Sequence, residues 1–110
     1  MAEDYLNIIA GEMEKLSRDE KETILLRLRD EVDKVDKDIS GLLIRRIKIS
    51  LEIGAIKKSL ELAAYDAKRE KEIGENIEKF SEDLEIKNTL KRIYERIIDE
   101  SRAIQKEREK

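Results

Sequence analysis

Apolar residues recur every three or four positions for some forty residues after Ser17: Ile24, Leu28, Val32, Val35, Ile39, Leu42, then Ile49, Ile53, Ile56 and Leu60. That spacing places them on one face of a single long α-helix. Ser17 with Glu20 three residues on has the capping-box pattern that starts such a helix. Upstream, Leu6, Ile9 (or Ile8), Met13 and Leu16 predict a short amphipathic helix over 3–16. The pattern dissolves at "ELAAYD". Asp66 then reads as the N-cap of a helix over 67–81. After a short loop at "EDLEI", a last helix over 85–108 carries Ile86, Leu90, Ile93, Ile97, Ser101 and Ile104 on one face. The fold class is therefore all-α. The predicted protomer has three main helices, the first of them very long, preceded by an extension over 1–20.

The length of that first helix constrains the assembly. About 44 residues at 1.5 Å each span roughly 65 Å, whereas a compact domain of this size has a radius of gyration near 13 Å. Two short partner helices cannot cover such a stripe. A second copy can, and two-fold pairs are the commonest oligomers. The expectation is an intertwined homodimeric helical bundle, with a plain helical dimerisation module as the alternative.

Two cations interrupt the stripe. Arg46 and Lys57 lie 11 residues apart, which puts them within about 20° of each other on the helix and roughly 16 Å apart along it. Removing such ions from water costs several kcal/mol each unless they find partners. A buried salt bridge would serve, and so would snorkelling to the surface. The later helices also offer polar groups. Asp66, Arg69 and Glu70 share one face at the start of the 67–81 helix. Ser101 and Gln105 form an i, i+4 pair on or beside the last stripe. Each set alone reads as a solvated cluster or a helix contact. Together they suggest a cavity lined with donors, mostly cationic, for an anion with more than one carboxylate or phosphate. Arg29 lies 17 residues before Arg46, roughly 25 Å away and about 100° round the helix. It cannot reach a small ligand at Arg46 of its own chain, but Arg29 of a crossed partner could.

Composition narrows the chemistry. Charged residues make up 46% of the 110, yet the net charge is only −3. The mixed signs argue against nucleic-acid binding, which needs a basic excess on one face. The chain has no Cys and no His. That excludes a disulfide framework, a zinc site of the usual kind and a Ser-His or Cys-His nucleophile pair. No apolar run reaches the length of a membrane span, and "MAEDYLNIIAGEMEK" lacks the pattern of a signal peptide. A cytoplasmic protein with no metal and no membrane partner is expected. Pro is absent, and Glu, Lys, Ile, Leu and Arg dominate, which is the composition of long helices.

The motifs resemble those of the all-α chorismate mutases, the AroQ class. "LRDEVDKVDKDISGLLIRR" is similar to the family's first-helix signature, with Arg29, Asp36 and Arg46. "GAIKKS" supplies Lys57, "DAKRE" supplies Asp66, Arg69 and Glu70, and "IIDESRAIQ" supplies Ser101 and Gln105. The likeness covers residues 24–108 and implies a chorismate mutase domain over 21–110, with the extension over 1–20 outside it. It implies the rearrangement of chorismate to prephenate, in phenylalanine and tyrosine biosynthesis, without a cofactor. It implies a homodimer whose sites each borrow Arg29 from the partner. Arg29 and Arg46 would bind the two carboxylates, with Ser101 and Arg69 assisting. Lys57 and Gln105 would donate to the ether oxygen. Glu70, with the backbone near Asp66, would hold the ring hydroxyl. A pericyclic step needs no nucleophile and no proton shuttle, which suits a chain without His or Cys. An isochorismate-pyruvate lyase of the same fold is the catalytic alternative; the arrangement of Asp66, Arg69 and Glu70 speaks against it.

Overall fold

The computed structural model describes residues 2–109, with side chains described for residues 7–107. Four α-helices follow one another: α1 (Ala2–Glu14), α2 (Arg18–Ser59), α3 (Ala67–Ile77) and α4 (Leu84–Glu109). A 3-10 turn, Glu78–Phe80, follows α3. No strand forms among the described residues. The fold is all-α with one helix of 42 residues.

Local chemistry starts α2, α3 and α4. Ser17 Oγ accepts from the Glu20 N–H at 3.1 Å, and Ser17 N–H donates back to Glu20 Oε1 at 3.3 Å. This is the reciprocal capping box. Asp19 and Glu20 lie in the first turn of α2, and Lys57 and Lys58 in its last, each on the side that the helix dipole favours. Asp66 caps α3, its Oδ1 accepting from the Arg69 N–H at 3.0 Å. Asp83 does the same for α4, accepting from the N–H groups of Glu85 at 3.1 Å and Ile86 at 3.2 Å. The shape of its loop is held by Ser81 Oγ, which accepts from the Asp83 N–H at 3.1 Å.

The end of α2 is a Schellman motif. Leu62 N–H donates to Lys57 C=O at 2.7 Å and Glu61 N–H to Lys58 C=O at 3.1 Å. The residue at the left-handed position is Glu61, with φ 58°, where glycine is usual.

The chain divides into two compact units, Met1–Ile44 and Arg45–Lys110. The first holds α1 and α2 up to Ile44. In α1 the half-buried residues are Ile9 and Met13, while Ile8 is exposed, so Ile9 and not Ile8 belongs to the apolar side. The side chain of Leu6, also expected there, lies outside the described residues. The helix ends at Glu14 and not Leu16, because the N–H groups of Lys15 and Leu16 turn back to Glu12 and Met13. Along α2 in this unit Leu28, Val32, Val35, Ile39 and Leu42 are all exposed.

The second unit holds the rest of α2, then α3, the 3-10 turn and α4. α3 ends at Ile77, four residues short of the expected 81. There the backbone tightens into the 3-10 turn, as helix ends often do. Glu78 reaches Lys91 on α4 at 2.8 Å. That hydrogen bond, more than the charge, holds the Glu78 carboxyl below its ordinary pKa and lifts the Lys91 ammonium above its own. The buried apolar residues of this unit are only Ala64 and Ile77 among those described. Its buried polar residues are Ser50 and Gln105.

Candidate active site

A cleft of about 480 Å³ opens in the second unit between α2, α3 and α4. α2 contributes Arg46, Ile49, Ser50, Ile53 and Lys57. The following loop and α3 contribute Ala64, Asp66, Arg69, Glu70 and Ile73. α4 contributes Ile98, Ser101, Arg102 and Gln105. Seven of the eight residues picked out from the sequence thus line one space. The eighth, Arg29, belongs to the first unit, is exposed on α2 and does not line the cleft.

Helix α2 presents its two interrupting cations to this space, and each is held by α4. Arg46 donates through Nη1 to Ser101 Oγ. The Ser101 hydroxyl in turn donates to the Ile97 C=O one turn back at 3.0 Å. The serine therefore aims the guanidinium from a fixed point on α4. Lys57 Nζ donates to the Ala64 C=O at 2.9 Å and to Gln105 Oε1 at 3.3 Å. An ammonium has three protons, so one is left to point elsewhere. Gln105 accepts at Oε1, which leaves its amide N–H₂ to donate. It is only 7% exposed, and α2 approaches it closely at Gly54.

The acidic residues have separate tasks. Asp66 serves as the α3 cap through Oδ1. Arg69, which shares its face, turns to Glu72 at 3.3 Å. Glu70 looks across to α4, where Arg102 holds it with two bonds: Nε to Oε2 at 3.0 Å and Nη2 to Oε1 at 2.6 Å.

Arg102, Ser50 and Gly54 were not singled out from the sequence. Arg102 carried a signal, since it follows Ser101 directly and stands three residues before Gln105, one turn along the same helix. Ser50 and Gly54 form an i, i+4 pair of small residues, a pattern that lets helices approach closely.

Electrostatically the cleft is cationic. Arg46, Lys57, Arg69 and Arg102 face Asp66 and Glu70, an excess of two positive charges. Ser50, Ser101 and Gln105 add neutral hydrogen-bonding groups, and four isoleucines supply apolar wall. Among the described residues no group of three or more His, Cys, Asp or Glu is placed to hold a metal ion. No described helix is long and apolar enough to cross a membrane.

The fold and the cleft thus define an all-α protein with a net-cationic cleft lined by hydrogen-bonding side chains. The model of the chorismate mutase type II family matches residues 28–106, and the chain belongs to that family. Searches of curated proteins and of solved structures return no match.

Proposed function

We propose that the chain is a chorismate mutase, an isomerase that rearranges chorismate to prephenate in a homodimer. The observation that carries this reading is the cleft's excess of two positive charges around donors with protons to give. Chorismate is a dianion with one ether oxygen and one ring hydroxyl. The family match supports the same substrate class.

In this reading Arg46 takes one carboxylate and the partner's Arg29 takes the other, each matching it bidentately. Ser101 and Arg69 assist. The two carboxylates, held at a set separation, fix the compact conformer in which the enolpyruvyl group lies over the ring. Holding such a near-attack geometry is worth up to about 7–11 kcal/mol in favourable cases. As the ether bond breaks, negative charge grows on its oxygen. The third proton of Lys57 and the amide N–H₂ of Gln105 are the donors placed to meet it. Removing one such donor typically costs about 10²–10³ in rate. Glu70 accepts from the ring hydroxyl, beside the backbone at Asp66.

The second copy also explains the open face of α2. Leu28, Val32, Val35, Ile39 and Leu42 are exposed, and a run of apolar surface this long calls for a partner. A two-fold mate lays the same face against it and carries its Arg29 to the cleft. Residues 21–110 form the catalytic domain, with 1–20 an extension.

The experiment is the loss of chorismate absorbance on adding purified protein, with prephenate as product. No turnover of chorismate would overturn the reading. Release of salicylate from isochorismate would instead identify the related lyase.

A further inference from the structure

We propose that Arg102 is a positioning residue: it holds the Glu70 carboxylate in the one orientation from which it can accept the substrate's hydroxyl. This rests on the reading of Glu70 as that acceptor, and it gives a task to the one cation of the cleft that otherwise has none.

The geometry is that of a clamp. Arg102 uses Nε and Nη2, on one edge of the guanidinium, against both oxygens of Glu70, at 3.0 and 2.6 Å. Two parallel bonds fix the carboxylate plane, which a single bond cannot do. The partners are 32 residues apart, so the clamp also ties α3 to α4. Both are largely shielded, with side-chain exposures of 30% for Arg102 and 25% for Glu70. An ionised carboxylate offers about four lone-pair sites. The clamp occupies one on each oxygen and leaves the others for a hydroxyl.

Arg102 is itself held. Its guanidinium carbon lies 5.0 Å from the centre of the Tyr65 ring, within cation–π range. Asp99, one turn back on α4, stands 3.5 Å from Nη2. The loop before α3 and the preceding turn of α4 therefore set the clamp before any ligand arrives. A charge argument points the same way. Glu70 alone would set a negative charge against a dianion. Paired with Arg102 it contributes no net charge, and the cleft keeps its excess of two.

The test is a double-mutant cycle on the full-length dimer, reading kcat and KM for chorismate alongside thermal melting. Arg102→Ala should lower kcat on the order of 10- to 100-fold, the range expected when a group is misplaced by about an ångström. In a Glu70→Ala background the same change should alter kcat by less than about twofold, because the group being positioned is gone. Arg102→Lys keeps the charge without the planar fork, so it should restore KM more than kcat. It also keeps the experiment readable if Arg102→Ala does not fold. Full losses in both backgrounds would overturn the proposal and make Arg102 a direct substrate ligand. Wild-type kinetics for Arg102→Ala would also overturn it. Near-wild-type kinetics for Glu70→Ala alone would instead remove Glu70 from the site, and the positioning role with it.

Discussion

Gly54 and Gln105 are so close that a Cβ built on the glycine would lie 3.1 Å from Cγ and 3.3 Å from Cβ of Gln105. The approach lets the buried amide sit against α2, within reach of Lys57. Gly54→Ala should therefore act on activity more than on stability. The added methyl must push Gln105 by a few tenths of an ångström, and the amide moves with it. Alanine meanwhile favours the helix by about 1 kcal/mol, which offsets the crowding. The expected result is a fall in kcat/KM of about tenfold, as for a weakened preset donor, with a melting temperature near wild type. Unchanged kinetics would show that the position of Gln105 is not critical.

Glu61 occupies a backbone region that costs an L-residue about 1–2 kcal/mol. It holds the turn after α2, whose loop supplies the Ala64 carbonyl to Lys57. Glu61→Gly should relieve that strain, partly offset by the greater freedom of glycine in the unfolded chain. A net gain of about 0.5–1 kcal/mol is expected, read by urea unfolding at one fixed protein concentration. Glu61→Val, β-branched at a positive φ, should lose stability. A glycine variant less stable than wild type would contradict the strain argument.

The proposed role of Gln105 can be tested by pH. Gln105 is a neutral amide that gains and loses no proton in the working range, so its capacity to donate should not change with pH. Gln105→Glu introduces a group that donates only when protonated. Burial and the substrate's two charges raise its pKa, and Lys57 lowers it. With the first effect larger in the complex, the variant should be most active in acid and lose activity as pH rises through that pKa. A pH–rate profile identical to wild type would separate this side chain from the ether oxygen.

The proposed sharing of the site between two copies can be tested by mixing. Arg29→Ala and Arg46→Ala homodimers should each be nearly inactive. Their heterodimers should contain one intact site and one doubly damaged site, and activity should return toward half of wild type. Subunit exchange confirmed by mass with one variant isotopically labelled, and no recovery of rate, would rule out the contribution of Arg29 in trans.

What could be read without coordinates was whatever is written within four residues. The Ser17–Glu20 capping box, the Asp66 cap and the long apolar stripe depend on neighbours one helical turn away, so their residue types announce them. The same periodicity turned Arg46 and Lys57 inward. The cleft's membership was largely legible because helical arithmetic, aided by the family resemblance, keeps polar groups on defined faces.

Which partner Glu70 takes in the cleft was decided by how the helices dock. Spacing grouped Glu70 with Asp66 and Arg69. In the folded chain Asp66 caps α3, Arg69 turns to Glu72 and Glu70 is taken by Arg102 from 32 residues away. Docking also drew α3 to a close at Ile77, where a 3-10 turn brings Glu78 to Lys91. Nothing local marks Glu61 for a left-handed turn, since glycine is the usual occupant. Contacts inside one helix follow from a fixed rise and rotation per residue. Contacts between helices follow from shape and charge across surfaces that meet only once the chain has folded.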